Sequence, residues 1–351
     1  MVPVIRQVEW RRVRYAIGGG LRNASSMMGE KHLLVVFAHD EQGRTGLGEC
    51  WLEPDYRDTI EKRLADFSSR LHGIAPDQAL ERVMSMQSAF TDGSDREAMA
   101  ALSGLDMALW DLKARSAGMP LFEAIRQALP DGLASTSVKP VRCYASAGLY
   151  RPRDSAEELV AEVELYRLMG YNAFKVKVGG AEPEHDVARI AALRKALGPG
   201  AGLMVDANSA LDPDGASTLI EALQPFDLDW FEEPLPLGTF AEQAALTCKS
   251  TVPICGNEGE TGRHCVLRLL DEGCVDYLQI DLSICGGISA GIEFARAARN
   301  KGIPFTLHSA ASAVLMLSNL HLAAALSPSP LVESHMIHRW LAGHLDESDL
   351  E

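Results

Sequence analysis

Eight short apolar segments between about residue 140 and residue 332 constrain the fold of this chain more than any other feature. Each has the composition of a β-strand, and stretches with the pattern of helices separate them. The strand candidates lie at 141–147, 173–178, 203–205, 230–231, 253–255, 277–280, 305–307 and 331–332. Ser155 and Glu158 form a capping box that starts the first helix, and Asp212-Pro213 starts another. Eight strands with seven intervening helices predict an α/β fold, a parallel barrel whose last strand has no full helix after it.

A doubly wound open sheet is the alternative that the same alternation allows. That fold normally has fewer strand–helix units and a glycine-rich phosphate-binding turn after its first strand. Residues Ala147-Gly148-Leu149, which follow the first strand candidate, do not provide such a turn. We therefore expect a barrel, and we place it at residues 129–333.

Residues 1–128 lack the strand–helix alternation and predict a separate α+β domain. Three β-rich segments, with a turn at 40–43 before the last, predict an antiparallel meander at 8–17, 32–38 and 46–52. Helices are predicted at 59–71, 76–90 and 96–116. Gly118 and Pro120 follow the last helix, as expected where a helix ends.

Composition narrows the class of partner and the compartment. The net charge of -15 over 351 residues argues against nucleic acid or an anionic membrane as a partner, but it allows a small anionic substrate in a locally cationic pocket. The seven cysteines include no C-x-x-C pair and predict free thiols in a reducing compartment. No signal peptide and no apolar run of about 18 residues is visible. We expect a cytoplasmic protein.

Ionisable residues follow or end six consecutive strand candidates, from the third to the eighth. They are Asp206, Glu232, Glu258, Asp281, His308 and Glu333. The second strand carries Lys175 and Lys177, whose side chains share one face because alternate residues of a strand point the same way. The active site of a β/α barrel lies at the carboxyl ends of its strands. We therefore expect all eight side chains in one site.

Three of these carboxylates predict a metal site. Asp206, Glu232 and Glu258 are each 26 residues apart, which is one strand–helix unit. Three converging carboxylates need a cation, because their mutual repulsion would otherwise force protonation. Ligation by oxygen alone favours Mg²⁺, with Mn²⁺ as a substitute, over zinc. The alternative is three separate salt bridges to lysines or arginines of the helices.

The remaining groups predict acid–base chemistry. Asp281 behind His308 would fix the tautomer of the imidazole and raise its basicity. A divalent metal and the Lys175 ammonium nearby would favour the neutral amine of Lys177, which suits a general base. Glu333, at the last strand, could stay protonated and donate a hydrogen bond, with a cap salt bridge as the alternative.

Together these groups describe the removal of a proton next to a carboxylate. The substrate carboxylate would bind the metal, which neutralises the charge that develops as the α-proton leaves. Lys177 on one face or His308 on the other would take that proton, and the product is a metal-stabilised enediolate.

A set of short motifs occurs in a characteristic order. They are Asp111-Leu-Lys-Ala-Arg-Ser-Ala-Gly-Met-Pro120, Lys175-Val-Lys177, Val205-Asp206-Ala-Asn208, Trp230-Phe-Glu-Glu-Pro234, Gly256-Asn-Glu258, Gln279-Ile-Asp281 with Gly286-Gly287, His308-Ser309 and Val332-Glu333. Each motif alone is weak, but their order over nearly the whole chain resembles the mandelate racemase subgroup of the enolase superfamily.

This resemblance implies a modified (β/α)₇β TIM-type barrel, with an N-terminal capping domain that the C-terminal tail, residues 334–351, completes. It also implies one Mg²⁺ at the three carboxylates, Lys177 and the His308–Asp281 dyad as acid–base groups, and a homo-oligomer. Lys175 and Glu333 would stabilise the enolate, and Asn208 would lie near metal and substrate. The tail departs from the family pattern, because a polar segment, residues 334–340, replaces the usual proline- and glycine-rich one.

The resemblance leaves the reaction open between two classes. One is a lyase that dehydrates a sugar acid to a 2-keto-3-deoxy acid, with Lys177 as base and His308 as acid, and this reading is favoured. The other is an isomerase that racemises, epimerises or cycloisomerises its substrate with the same pair. A third possibility is a barrel kept as a binding or structural protein without turnover.

Substrate specificity is expected in two loops of the first domain. The glycine-rich segment Gly18–Ser26 predicts a mobile loop that is not packed, from which Arg22 could reach an anion. The loop Cys50–Arg57 offers Trp51, which could stack on substrate or only anchor the cap, and Arg57, which like Arg22 could bind a distal carboxylate. A preference for diacids is the resulting hypothesis.

Overall fold

The computed structural model describes residues 3–52, 57–130, 132–137 and 139–338. The first part of the chain forms a three-stranded antiparallel sheet with four helices packed beside it. Its elements are β1 (Ile5–Ala16), β2 (Glu30–Asp40), β3 (Thr45–Cys50), α1 (Arg57–Ser69), α2 (Pro76–Gln87), α3 (Arg96–Ser116) and α4 (Leu121–Ala128). This sheet is the predicted meander, with β1 and β2 paired from Ile5 opposite Asp40 to Ala16 opposite Glu30.

Helix α3 lies directly against strand β3, and two glycines allow the close approach. A Cβ on Gly46 would stand 2.1 Å from the carbonyl oxygen of Ala108, and one on Gly48 would stand 2.0 Å from that of Gly104. No side chain fits there. The middle of α3, from Ala98 to Trp110, is buried along its whole length, because it packs on the sheet on one side and on the second part of the chain on the other.

The second part is a closed barrel of eight parallel strands with seven intervening helices. The strands are β4 (Cys143–Ala147), β5 (Ala173–Lys177), β6 (Gly202–Asp206), β7 (Trp230–Glu232), β8 (Ile254–Gly256), β9 (Tyr277–Ile280), β10 (Phe305–Leu307) and β11 (Leu331–His335). The helices are α5 (Ala156–Leu168), α6 (Pro183–Leu197), α7 (Pro213–Leu223), α8 (Phe240–Lys249), α9 (Arg263–Asp271), α10 (Gly287–Asn300) and α11 (Ala313–Ala325). The predicted barrel is therefore confirmed, and the open sheet is excluded because β11 pairs with β4.

Both predicted helix starts in the barrel are confirmed by their caps. The Ser155 hydroxyl accepts a hydrogen bond from the Glu158 N–H at 3.1 Å, and the Asp212 carboxylate accepts one from the Gly215 N–H at 2.8 Å. Each cap satisfies an N–H group that has no partner within its own helix. Within the described residues, no helix has the length and apolar composition needed to cross a lipid bilayer.

Several boundaries differ from the prediction, and one helix is additional. The last strand runs from Leu331 to His335, three residues beyond its predicted end, because polar residues at the mouth of a barrel can face inward and still belong to a strand. Helix α2 ends at Gln87, and a 3₁₀ turn covers Ser88–Phe90. Helix α4 was not predicted, although Pro120 at its N-cap is a favourable helix start.

The segment Gly18–Ser26 is packed at its centre, contrary to the prediction. The Leu21 side chain is buried against Ile17 and Leu149. The backbone of Arg22 exchanges two hydrogen bonds with Tyr150, at 3.1 and 2.9 Å. The sequence gives little indication of this packing, because Leu21 is a single apolar residue near several glycines. Its partner Leu149 lies in the loop after β4, far away along the chain.

Helix α3 holds the N-terminus of barrel helix α10. The Ser103 hydroxyl accepts a hydrogen bond from the Gly286 N–H at 2.8 Å, and the Asp106 carboxylate accepts one from the Ser289 N–H at 3.0 Å. Gly287 has a φ of 76°, and a Cβ there would stand 2.4 Å from the nearer Asp106 oxygen. The Gly286-Gly287 motif therefore lets the chain turn into α10 while touching α3.

Asp106 should make the stability of the fold depend on pH. Its carboxyl is buried, one oxygen has no partner within the described residues, and burial raises its pKa from 3.8 to about 7. Because the folded-state pKa of Asp106 exceeds the unfolded one, the contribution of this group to stability is fully present below pH 4 and is lost as the pH rises toward 7, by up to about 4 kcal/mol.

We expect Asp106→Asn to flatten this pH dependence. The measurement is the free energy of unfolding from urea titrations between pH 4 and pH 8, for the variant and the wild type. Asp66→Asn is the matched control, since its carboxylate is about half exposed in a pair with Arg70 and exposed pairs contribute little. Equal slopes for wild type and Asp106→Asn would contradict this account.

Candidate active site

The carboxyl ends of the barrel strands hold a group of buried ionisable side chains. The structure brings together all eight that the sequence singled out: Lys175, Lys177, Asp206, Glu232, Glu258, Asp281, His308 and Glu333. Each lies within a strand or follows one by at most two residues, so the β/α period determines where it stands around the barrel. Charges this deeply buried are stable only when they are paired or bind an ion.

Three carboxylates of this group form a compact cluster. Asp206, Glu232 and Glu258 each place an oxygen within 4.8 Å of the others, and all three are buried. Glu258 Oε2 has no hydrogen-bond partner within the described residues. Burial raises the pKa of Glu232 to about 7, and burial together with neighbouring carboxylates raises that of Glu258 well above its usual value. An orphaned oxygen in an all-carboxylate donor set fits a hard divalent cation such as Mg²⁺.

The ion-pair partners of the cluster come from inside the barrel. Lys177 Nζ lies 2.5 Å from Asp206 Oδ2. Lys175 Nζ donates a hydrogen bond to Glu232 Oε1. The same ammonium lies 3.4 Å from Asp206 Oδ2 and 3.2 Å from Glu333 Oε1. The alternative of separate salt bridges to helix residues is therefore wrong for Asp206 and Glu232. Burial opposes the charge of Lys175, but Glu232 and Glu333 outweigh it and raise its pKa well above the usual value.

His308 and Asp281 form the dyad that their positions predicted. Nδ1 of the imidazole lies 2.7 Å from Asp281 Oδ2, while Asp281 Oδ1 accepts hydrogen bonds from the N–H and hydroxyl of Ser283 at 2.7 and 2.5 Å. Nε2 stands 3.4 Å from both Glu258 and Glu333 and so faces the centre of the site. Burial lowers the pKa of His308, but Glu333 and Asp281 raise it further, and the net shift is upward.

The predicted protonated state of Glu333 is wrong. Lys175 Nζ stands 3.2 Å from one carboxylate oxygen and His308 Nε2 3.4 Å from the other, and the Ser309 N–H donates at 3.2 Å. Burial alone would raise the pKa of Glu333, but Lys175 and His308 hold it below its usual range. Glu333 is therefore an ionised carboxylate, and its ion pair is with Lys175 of the barrel strand β5 rather than the cap salt bridge that was the alternative.

Asn208 lies beside the metal cluster. Its backbone has a φ of 45°, in the left-handed region, and its N–H donates to Asp206 Oδ1 at 2.8 Å. The side-chain amide oxygen is buried and has no partner within the described part of the chain. This arrangement leaves one amide oxygen free to bind a ligand next to Asp206.

The cap residues singled out from the sequence have different locations. The Trp51 ring centroid stands 5.9 Å from that of His308, and the backbone N–H of Trp51 donates to the Ser283 carbonyl at 2.9 Å, so this residue covers the dyad. The Arg22 guanidinium stacks 4.6 Å from the Tyr150 ring centroid, at the rim after β4. The side chain of Arg57 lies outside the described residues.

A cavity of about 900 Å³ opens at the opposite end of the barrel. Its lining is mostly apolar and includes Trp230, Tyr277 and Phe305 near the starts of their strands. It contains none of the ionisable residues described above. The eight ionisable residues therefore lie away from this cavity, at the carboxyl ends of the barrel strands.

Two family models match the chain, one for each part of the fold. The model described as "Mandelate racemase / muconate lactonizing enzyme, N-terminal domain" matches residues 7–125, and "Enolase C-terminal domain-like" matches residues 158–351. The second match alone covers more than half of the chain. This chain belongs to the enolase superfamily. The first match places it in the mandelate racemase subgroup, as the order of the motifs predicted.

Relatives within the superfamily carry the names of dehydratases and cycloisomerases. The chain is 32% identical to an arabinonate dehydratase of Saccharolobus solfataricus, over 68% of this chain but only 61% of that protein. It is 32% identical to a D-galactarolactone cycloisomerase of Agrobacterium fabrum, over 86% of this chain and 76% of that protein. A solved L-talarate dehydratase from Polaromonas sp. JS666, complexed with Mg and L-glucarate, superimposes with a TM-score of 0.81 at 27% identity, covering 95% of this chain and 87% of that one.

Several polar residues around this superfamily site were not predicted to have a role. Glu49 of β3 is buried and accepts hydrogen bonds from the Ser312 hydroxyl, the Ser312 N–H at 3.2 Å and the Leu315 N–H at 3.4 Å, so it joins the cap to the start of α11. Its position as a lone carboxylate in an apolar strand was the sequence feature that could have indicated this role. Lys31 of β2, whose Nζ stands 5.4 Å from the Trp51 ring centroid, gave no such signal.

Proposed function

We propose that this chain is an enzyme that dehydrates an acid sugar to a 2-keto-3-deoxy acid in the presence of Mg²⁺. The observation that carries the proposal is the placement of two acid–base groups on different walls around one carboxylate cluster. Lys177 ends β5 and contacts Asp206, while His308 follows β10 and stands 3.4 Å from Glu258. A substrate carboxylate held at the cluster would thus present its α-carbon between an amine and an imidazole.

The cation-binding residues would be Asp206, Glu232 and Glu258, for Mg²⁺ or for Mn²⁺ as a substitute. When bound, the ion supplies positive charge that stabilises the negative charge developing on the substrate carboxylate. Lys175 is a second, permanent positive charge beside this cluster, since its carboxylate neighbours keep it protonated. We assign it to the substrate carboxylate and the enolate. Glu333, ionised between Lys175 and His308, holds both in place.

Lys177 on β5 and His308 after β10 divide the acid–base steps between them. The neutral amine of Lys177 removes the α-proton, which breaks the C–H bond and leaves the electron pair in the enediolate. Protonated His308 donates from Nε2 to the β-hydroxyl, which leaves as water, and the resulting enol tautomerises to the ketone. Asp281 keeps Nδ1 protonated and so directs Nε2 at the substrate. The upward shift of the His308 pKa supports its role as the acid in this pair.

An isomerase is the second candidate function. The D-galactarolactone cycloisomerase relative aligns with 86% of this chain. Racemisation and epimerisation need the same α-proton removal, followed by return of a proton to the α-carbon. Cycloisomerisation of an acid-sugar lactone needs the same removal, followed by cleavage of the bond between the β-carbon and the ring oxygen, which leaves as a carboxylate. The same amine and imidazole can perform them, since they stand on different walls.

Proton NMR of acid sugars incubated with the protein in D₂O and Mg²⁺ distinguishes these functions. A product with a 3-deoxy-2-keto structure, formed from an open-chain acid with loss of water, would establish a dehydratase, whereas the same structure formed from a lactone without loss of water would establish a cycloisomerase. Deuterium at the α-carbon with every hydroxyl retained would establish an isomerase. An absence of both, for a panel of aldonic acids, aldaric acids and their lactones, would contradict the proposed enzyme.

We also propose that the enzyme acts in the cytoplasm, on a small anionic substrate. All seven cysteines are free thiols, which is typical of proteins in a reducing compartment. The net charge of -15 disfavours nucleic acid as a partner. A homo-oligomer remains a prediction, and analytical ultracentrifugation would test it.

A further inference from the structure

The last barrel strand places a histidine in the inner wall of the active site. Glu333 faces inward, because its carboxylate contacts Lys175 inside the barrel. His335 stands two residues later on the same strand and therefore shares that inner face, one layer nearer the mouth. In the barrel register His335 pairs with Ser146 of β4, which in turn pairs with Lys175 of β5.

Three buried polar atoms at this place have no partner within the described residues. They are Nδ1 of His335, Nε2 of His338 and the hydroxyl oxygen of Ser146. His335 is 8% exposed, His338 is 4% exposed and Ser146 is fully buried. Buried polar atoms nearly always form hydrogen bonds, so three orphaned atoms on neighbouring residues call for an explanation. A ligand in the active-site mouth would satisfy them.

The cap holds this pair of histidines in position. The imidazole rings of His335 and His338 stack with their centroids 4.3 Å apart. The other nitrogen of His338, Nδ1, is hydrogen-bonded to the Tyr15 hydroxyl of β1. Tyr15 is paired across the cap sheet with Lys31, whose ammonium lies over the Trp51 ring. The two histidines therefore link the inner wall of the barrel, two residues beyond Glu333, to the cap sheet at Tyr15.

The chemistry of this wall suits hydroxyl groups better than a second carboxylate. Burial lowers the pKa of His335 to about 3 and that of His338 well below its usual value, so both rings are neutral at neutral pH. A neutral imidazole nitrogen donates or accepts a hydrogen bond according to its tautomer, as a serine hydroxyl does by rotation. A sugar hydroxyl, which also does both, is complementary to such groups.

We propose that His335, His338 and Ser146 form a subsite that binds the hydroxyl groups of a polyhydroxylated acid beyond its β-carbon. This rests on the proposed function only in that the substrate carboxylate is held at the cluster of Asp206, Glu232 and Glu258. With this subsite, the protein would select acids by the length of their carbon chain and by the hydroxyl groups on it. A 2-hydroxy acid without a hydroxylated tail leaves the three orphaned atoms without partners and binds more weakly.

Isothermal titration calorimetry with Mg²⁺ and two ligands tests the subsite. The ligands are a six-carbon aldonic acid and lactate, which has the same carboxylate and 2-hydroxyl but no hydroxylated tail. For wild type we expect tighter binding of the aldonic acid. His335→Leu should weaken aldonic acid binding roughly 10- to 100-fold and leave lactate binding within about twofold. His335→Asn, which keeps a donor and an acceptor, should recover part of the loss.

Control variants separate the subsite from general effects on the fold. His264→Leu changes an exposed histidine of α9 and should leave both affinities unchanged. If His335→Leu does not fold, as judged by circular dichroism, Ser146→Ala and His335→Asn carry the test, and each should weaken only the aldonic acid.

The outcomes distinguish this inference from the proposed function. Equal affinities of wild type for both acids, or an equal loss or no loss of both in the variants, would overturn the subsite while leaving the proposed reaction in place. If wild type binds neither acid with Mg²⁺, the proposed function fails, and the subsite fails with it. Selective loss of the aldonic acid supports the subsite even if no turnover of that acid is detected.

Discussion

Replacing Lys177 by alanine should lower kcat by roughly 10³-fold or more, because the variant lacks the amine that we propose removes the α-proton. His308→Asn should have an effect of the same order, since the amide cannot take up or release a proton. Steady-state kinetics on the acid sugar identified by NMR provide the measurement. Lys195→Ala and His264→Asn, which change exposed residues on barrel helices, are the matched controls and should retain full activity.

A second substitution separates the basicity of Lys177 from its charge. Lys177 also neutralises Asp206, 2.5 Å away, so alanine removes a cation from the cluster as well as a base. Lys177→Arg keeps that cation, but a guanidinium does not lose its proton near neutral pH. We expect the arginine variant to be as inactive as the alanine variant. Substantial activity in Lys177→Arg would show that charge, and not proton removal, is the contribution of this residue.

The two variants should differ in α-proton exchange. In D₂O, His308→Asn retains Lys177 and should exchange the α-proton of one stereoisomer without releasing a hydroxyl. Lys177→Ala should not exchange that proton if Lys177 is the base. The opposite pattern would reverse the roles of amine and imidazole, and exchange by both variants would favour an isomerase, in which either group acts as a base.

The barrel and its ionisable cluster could be predicted because both follow from the regular repeat of one strand and one helix. Strand and helix alternate so regularly that ionisable residues at the ends of successive strands are spaced by nearly one unit, as Glu232 is by 26 residues from both Asp206 and Glu258. Parallel strands then bring all strand ends to one face. Nothing beyond local pattern and this topology was needed to group the eight residues.

The charge state of Glu333 could not be predicted, because it depends on distances between strands. Its carboxylate is ionised only because Lys175 Nζ stands 3.2 Å away and the His308 imidazole lies on its other side. A fully buried carboxyl without those neighbours would be protonated. The sequence shows that a cation is available on β5, but not which of several carboxylates it approaches.

The cap residues were the least predictable part of the site. Arg22 was expected to reach an anion, but its guanidinium stacks on Tyr150, and its backbone is fixed to the same residue. Trp51 lies over the dyad because its backbone N–H donates to the carbonyl of Ser283, a contact between the two parts of the fold. Such placements depend on how α3 docks on α10, and no periodic pattern in either segment encodes that docking.

Glu258→Gln should remove most of the affinity of the protein for Mg²⁺. The three carboxylates lie within 4.8 Å of one another, and Glu258 Oε2 has no partner within the described residues, so this oxygen depends on a bound cation for its stabilisation. Removing one of three negative ligands lowers the charge of the site and should weaken the binding of a divalent cation by roughly 10- to 100-fold. Isothermal titration calorimetry with MgCl₂ alone measures this without any substrate.

Thermal unfolding gives an independent readout of the same site, because a ligand that binds only the folded state stabilises it in proportion to RT ln(1 + [L]/Kd). Wild type should therefore gain Tm as Mg²⁺ is added and lose it in excess chelator, together with turnover, whereas Glu258→Gln should show little response. Glu242→Gln, an exposed position at the start of α8, is the control and should respond as wild type does. Full turnover in excess chelator would contradict the metal assignment, because Lys175 and Lys177 would then be sufficient positive charge for the three buried carboxylates and the substrate carboxylate.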